Sequence, residues 1–407
     1  MEKTKNIMES EMENIIKGFR QNSIEVEINQ EHIHKWVSQF SLDTQDIILK
    51  ETLHILKKWY FGKDKINSFL DDMIDYLKSE NKNAIEEDPL KDIVFLNIQV
   101  KGKSQSQLIE MLDDRVREKY GCNIKTEKTG NEKYYVYLDD GLYTGSTLRK
   151  DMRQCIATLP EGARIDVFYI IACKNGYDFS KRELKKMCEG QNIKINICMW
   201  KMICNDKKII REDNGFLYDQ DQECLWPSSE LKIIPEINAY AEKLQNLKGK
   251  EKLYYCFRNA QWQYTAGIFT NLKNRNIVEE EFLKKGIAIL ENNNDHKGIY
   301  PLGYSLTPSL GFGSFCATDL NISNTCPVVL WWGNVVKKGN QLDAWYPLLP
   351  RRVNVQENNL YEDNWMQEEA EMDECDGVFT TCPDCGCGIS LSNDGGNGFC
   401  SACAWKH

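Results

Sequence analysis

No stretch of eighteen or more apolar residues occurs in the 407-residue chain, so no membrane-spanning helix is expected. The first thirty residues are polar and charged and hold no apolar run of signal-peptide length, which leads to the expectation of a cytoplasmic protein. Positive charge is in deficit. The 51 Lys and Arg stand against 61 Asp and Glu, leaving a net charge of −10. That argues against a surface that follows nucleic-acid backbone throughout, while a local basic patch stays compatible with it. Histidine is scarce, with five in the chain, and no Ser/His/Asp or His-Glu-x-x-His arrangement is evident. His32, His34 and His54 fall in helical segments and read as surface or packing residues. No internal repeat of solenoid length is visible. Hydrophobic residues at 42% and charged residues at 28% exclude collagen-like, wholly disordered, secreted-miniprotein and membrane classes. The length sets a prior of two or more domains.

What the chain has in excess is cysteine, sixteen in all. Eleven are scattered from Cys122 to Cys375, several in apolar runs such as Ile197-Cys198-Met199-Trp200, and read as reduced thiols that pack like small hydrophobes. The last five crowd between Cys382 and Cys403. Cys382-Pro-Asp-Cys385 and Cys400-Ser-Ala-Cys403 form two Cys-x-x-Cys knuckles separated by fourteen residues. Two thiolates flanking a tight turn can share one Zn²⁺, and two such turns complete a tetrahedron. The Gly- and Asn-rich run between them supplies turns between short strands, so the pattern is that of a zinc ribbon. Cys387 is a spare thiol beside the first knuckle. A redox dithiol is the alternative, but it does not explain two knuckles. A closed four-thiolate site is structural, and the work expected of it is binding a partner or nucleic acid.

Hydrophobic periodicity divides the rest. Residues 1–30 carry weak periodicity and are expected to be partly disordered. Ile33, Trp36, Val37 and Phe40 lie on one helical face, and further helices are expected over 47–60 and 66–77. From Asp92 the texture changes. Strand-like runs over 93–100, 134–138, 164–173 and 193–202 alternate with helical stretches over 105–120, 147–159 and 179–189. Such alternation predicts crossover units and a mainly parallel sheet, an α/β core. Residues 231–246 and 277–292 read as helical, 300–352 are rich in Gly, Pro, Trp and Asn, and 353–376 hold nine Asp or Glu and no Lys or Arg, as a solvated linker would. The organisation expected is a helical region 1–88, an α/β core 89–205, an extension 206–352, an acidic linker 353–376 and the ribbon 377–407.

The strongest local signal is Val136-Tyr-Leu-Asp139-Asp140-Gly141-Leu-Tyr143-Thr144-Gly145-Ser146-Thr147. A hydrophobic strand ends in two carboxylates, and a loop of small residues then opens a helix. Such a loop can aim backbone N–H groups at a phosphate, with the helix dipole and the Thr and Ser hydroxyls adding to the attraction. Gly145 would allow close backbone approach. The acid pair suits ribose hydroxyls, directly or through Mg²⁺ and its waters. The bland alternative is a plain Asp-Asp-Gly turn with Thr144 as a helix N-cap. A Walker loop is excluded because its Gly-Lys-Ser/Thr ending is missing, and a dinucleotide fingerprint because Gly-x-Gly-x-x-Gly is missing.

This block resembles the PRPP-binding motif of type I phosphoribosyltransferases, and the resemblance spans about residues 90–205. It implies that Asp139 and Asp140 act at the ribose hydroxyls and serve as the catalytic acids. It implies further that Gly141, Tyr143, Thr144, Gly145, Ser146 and Thr147 line the PRPP or nucleotide site, with Mg²⁺ as cofactor. Lys101-Gly102-Lys103-Ser104 stands where the family carries its pyrophosphate loop; a surface turn is the alternative. The long extension departs from the family's compact hood. Trp36 with Val37-x-x-Phe40, Gly311-Phe-Gly-Ser314, Asn324 through Gly333 and Trp345 through Arg351 are similar to a divergent group, the phosphoribosyltransferase-like proteins of bacterial conflict systems, some of them encoded with retron reverse transcriptases. That likeness implies an anti-phage toxin-like effector held by protein partners, among them a reverse transcriptase with its RNA or DNA. Asn324, Trp331, Trp332 and Arg351 could stack and hydrogen-bond an acceptor base, or the Trp pair could be core packing. A sensor that binds PRPP or a nucleotide without turnover, and a base-salvage transferase, are the other readings.

A ribbon held by Cys382, Cys385, Cys400 and Cys403 should bind about one zinc per chain. Its folding free energy should be the metal's binding free energy. Elemental analysis should find that stoichiometry. Chelation under reducing conditions should unfold residues 378–407 and leave the rest intact. A Cys400→Ser chain that keeps its zinc would contradict the ligand set.

Overall fold

A computed structural model describes residues 2–21, 23–99, 104–128, 130, 132–205, 209–211, 217–219, 223–248, 257–258, 260, 264–291, 298–305, 309–351, 380–381 and 388–389. The chain divides into two compact units, one of Met1–Tyr60, Asn205–Ala317 and Ile322–His407, the other of Phe61–Cys204 with Thr318–Asn321. In the first unit, helix α1 (Glu2–Ile16) corrects the expectation of a partly disordered lead-in. Met12 and Ile16 of this helix, and Phe19 just after it, are fully buried at i, i+4 and i+7. That short stripe is diluted by six charged residues in the helix sequence and escapes a periodicity search. Helix α2 (Gln30–Val37) starts at Asn29, whose side chain accepts from the His32 N–H. Helix α3 is Gln45–Trp59.

The second unit opens with α4 (Lys63–Glu80). The strands β1 (Ile93–Leu96), β2 (Tyr134–Leu142), β3 (Arg164–Cys173) and β4 (Lys194–Ile203) form one sheet in sequence order, every pair parallel. Parallel neighbours need crossovers, and α5 (Ser104–Tyr120), α6 (Ser146–Ile156) and α7 (Lys174–Glu189) supply them. Residues 165–173 are buried without a break, as in a strand covered on both faces. On one face Tyr135, Tyr137, Ile165, Val167 and Tyr169 pack with Leu148 and Met152 of α6 and Leu184 of α7. On the other, Phe168 meets Tyr76 of α4 with ring centroids 5.6 Å apart. Trp200 of β4 packs beside Phe69, and its indole N–H donates to Asp72 at 3.1 Å. Helix α4, expected with the helical region, is therefore built into the α/β unit, and Asp71 on it pairs with Arg115 and Lys119 of α5. Among the described residues no helix is long and apolar enough to cross a membrane. Cys155, Cys173, Cys188, Cys224, Cys316 and Cys326 are buried and outside any disulfide.

Back in the first unit, α8 (Pro235–Lys248) and α9 (Leu272–Glu291) follow. Phe40 stacks on Phe282 of α9 at 5.6 Å, and the indoles of Trp36 and Trp345 both donate to the Val329 carbonyl, at 2.8 and 2.9 Å. Glu279 of α9 is wholly buried between two cations: Arg258 at 2.8 Å and Arg275 at 3.1 Å. It also accepts from the Trp226 N–H at 2.8 Å. Burial alone would push this carboxyl up, but Arg275 and Arg258 overcome it and hold Glu279 below the usual range.

Glu279→Ala removes the buried carboxylate that both guanidiniums contact and should cost about 3–5 kcal/mol in urea unfolding. Because the folded-state value is depressed, the stabilisation is present above the unfolded-state value of about 4.3 and is lost as pH falls through the folded one. The wild-type midpoint should therefore drop in acid more steeply than that of the Ala variant.

Candidate functional site

The carboxyl end of β2 carries Asp139 and Asp140, 5% and 9% exposed. Asp139 still lies in the ladder, opposite Tyr169 of β3. Its Oδ1 accepts from the Ser104 hydroxyl at 2.7 Å and the Asp140 N–H at 2.9 Å, and its Oδ2 from the Gln99 amide at 3.0 Å. Gln99 and Ser104 stand on either side of residues 100–103, so one carboxylate ties both roots of that segment. Gln105 completes the anchor: its Oε1 accepts from the N–H groups of Ile98 and Gln99, both at 2.9 Å. Asp140 Oδ2 accepts from the Thr318 hydroxyl at 3.1 Å. Burial pushes both carboxyls up, and at Asp139 the neighbouring Asp140 charge adds to it.

The loop beyond turns into α6 through Gly145, the N-cap, at φ 77° and ψ 7°. This cap supplies no side-chain hydrogen bond to the first helical turn. The helix keeps the positive dipole end that favours an anion, its Ser146 N–H making only a long contact with the preceding loop. Thr144 is not the N-cap; its hydroxyl accepts from the Ser146 N–H at a long 3.4 Å. Packing alone already requires a glycine at 145. A Cβ there would stand 1.9 Å from the Ser180 hydroxyl and 3.0 Å from an Arg149 nitrogen. Gly176 is confined likewise, its Cβ position falling 1.8 Å from the Tyr143 carbonyl. Arg149, 8% exposed, donates to the Thr144 carbonyl at 2.9 Å and lies 4.4 Å over the Phe179 ring. The first turns of α7 and the Arg149 side chain thus hold the loop from behind.

The structure brings Asp139, Asp140, Gly141, Tyr143, Thr144, Gly145, Ser146, Thr147 and Ser104 into one unit. Lys101, Gly102 and Lys103 lie outside the described residues. Asn324, Trp331, Trp332 and Arg351 belong to the other unit. There Trp331 and Trp332 are 3% and 1% exposed and meet edge-to-face at 5.5 Å. The Trp331 indole N–H donates to the Cys326 carbonyl at 2.8 Å, and the Arg351 guanidinium lies 5.3 Å over its ring. The zinc-ligand candidates Cys382, Cys385, Cys400 and Cys403 are also outside the described residues; Thr380–Thr381 and Gly388–Ile389, which flank the first two, pair antiparallel. Sequence reasoning missed Thr318, Gln99, Arg149 and Ser180. Arg149, four residues past Gly145, was the one within reach of a motif reading. Thr318 joins Asp140 across 178 residues with no local signal.

The α/β architecture agrees with the family that comparison finds. The family model PRTase-CE matches residues 33–351, and the chain belongs to that phosphoribosyltransferase-like family. No curated protein matches the chain. Among solved structures, the chain is similar to the AQ2163 protein from Aquifex aeolicus, at 14% identity over 46% of this chain and 87% of that one, with a TM-score of 0.21.

Gly145→Ala should destabilise the protein by about 1–2 kcal/mol from its left-handed backbone alone, and further from the overlap with Ser180. Adding Ser180→Gly should restore the overlap part and not the backbone part, as read from urea midpoints. Equal midpoints for Gly145→Ala and wild type would contradict the packing.

Proposed function

We propose that the chain binds PRPP with Mg²⁺, or a nucleotide, at the end of β2, and that it works as a phosphoribosyltransferase-like effector in bacterial anti-phage defence. The observation that carries the reading is the adjacency of a buried acid pair to a helix N-terminus opened by a positive-φ glycine with no side-chain cap. The acids suit a ribose diol and the helix end a 5′-phosphate, which together describe a phosphoribosyl group. Membership of the PRTase-CE family supports this class of ligand. The paired carboxylates, both raised by burial, also suit a hydrated divalent cation near them. Bound Mg²⁺ would neutralise pyrophosphate charge. Asp139 and Asp140 would orient the ribose, the α6 N–H groups would hold the phosphate, and Lys101 and Lys103 would face the pyrophosphate. The chemistry is then displacement at ribose C1, or cleavage of the nucleotide there. A sensor without turnover is the second reading. It is favoured by Asp139, whose two oxygens are already occupied by donors from the protein itself. The zinc ribbon belongs to the proposal as a separate module for contact with a partner or nucleic acid.

Calorimetry of the full chain with PRPP and Mg²⁺ should give saturable binding. A folded chain carrying Asp139→Asn and Asp140→Asn should lose it by roughly tenfold or more, the scale of one hydrogen bond to a charged group. Unchanged binding by that variant refutes the ribose role. Release of pyrophosphate or of a free base separates turnover from sensing. A reverse transcriptase gene beside this one would support the defence context, and a purine-salvage neighbourhood would count against it.

A further inference from the structure

The two acids at the end of β2 are not equivalent. Asp139 holds three protein donors on its two oxygens. Asp140 takes the Thr318 hydroxyl on Oδ2, and the Ser104 hydroxyl, which Asp139 holds at 2.7 Å, acts on it more weakly. Thr318 is itself fixed. It is 2% exposed, and its Oγ1 accepts from the N–H groups of Leu320 at 3.1 Å and Asn321 at 3.0 Å. A hydroxyl that accepts from two amides has its own proton left to give; the nearer acceptor is Asp140 at 3.1 Å, the Asn321 carbonyl lying at 3.3 Å. The turn that carries Thr318 is sewn to the start of α4. The Asp319 N–H donates to the Phe61 carbonyl at 3.0 Å, and the Lys63 N–H to the Asp319 carboxylate at 2.6 Å. A hydroxyl so restrained orients its acceptor and does not swing aside for a ligand.

We propose that Thr318 is a positioning residue of the phosphoribosyl site, one that holds the Asp140 carboxylate by Oδ2 so that its Oδ1 takes a ribose hydroxyl, while Asp139 serves as the internal tie between Gln99 and Ser104. The proposal rests on the phosphoribosyl reading of the site and divides the labour between its two acids. The turn 318–321 thereby becomes a specificity element for the sugar, supplied by a part of the chain remote from the motif.

The test uses the full chain, with ribose 5-phosphate and inorganic phosphate as probes in calorimetry. Wild type should prefer ribose 5-phosphate. Thr318→Val should weaken ribose 5-phosphate roughly tenfold, leave phosphate unchanged and so lose the preference, and Thr318→Ser, which keeps the hydroxyl, should regain it. If the Val variant does not fold, Thr318→Ala takes its place. Asp140→Asn should lose the same preference, with Thr318→Val adding little in the double variant. Asp139→Asn should instead speed amide hydrogen exchange at residues 97–99 and 104–106. A folded Thr318→Val chain that keeps the full sugar preference overturns the proposal, and so does a variant that loses phosphate and ribose 5-phosphate alike. A wild type that binds neither probe overturns the phosphoribosyl reading instead. The Thr318–Asp140 link is then judged by thermal stability, where additive losses in the double variant overturn it and non-additive losses uphold it.

Discussion

The candidate site depends on one carboxylate removed from water. An ionised Asp139 at the end of a buried strand would be costly if its oxygens were empty. The Ser104 hydroxyl, the Gln99 amide and the Asp140 N–H offset that cost, and in doing so they fix the ends of two strands and the start of α5 in one arrangement. The surrounding elements serve the same end. The unbroken burial of β3 and the Tyr137–Tyr169 contact hold β2 in the middle of the sheet, and Arg149 and Ser180 brace the loop that follows.

Asp139 and Glu279 make an instructive pair. Both are buried acids, yet burial and a neighbouring acid raise the first, while two guanidiniums lower the second. The difference is in what each has been given for company. Glu279 is matched with cations and acts as a clamp between segments of its unit. Asp139 has neutral donors and another carboxylate beside it, an arrangement that leaves cation-binding capacity unsatisfied and is found where ligands with hydroxyls or metals are handled.

Much of the architecture was legible because it is local. The four strands and their crossover helices announced themselves through runs such as Arg164–Cys173, which needed no long-range information, and the structure keeps that strand over the same residues. Asp139, Asp140 and the turn at Gly145 were likewise visible as a contiguous block. What escaped was weak or distant. The stripe of Met12, Ile16 and Phe19 was submerged in charge, and α4 read as part of the helical region because its partners Phe168 and Trp200 lie roughly a hundred residues onward. A second demand on Gly145 escaped for a related reason. A positive φ can be inferred from a motif, but the Ser180 hydroxyl that fills the space behind it belongs to another helix.

The turn Thr318–Asn321 also has a bearing on synthesis. A chain emerging from the ribosome presents the strand and acid motif of residues 134–147 long before residue 318 has been made. During that interval Asp140 lacks the Thr318 hydroxyl, and the α/β unit lacks one of its own segments. Domains form as units while translation proceeds, but this one closes through a contact 178 residues apart, with the entropic cost that a long loop carries. The nascent sheet can assemble early, and the finished site comes late. A fragment ending at Cys204, however well its sheet folds, is a different object from the same residues in the whole chain.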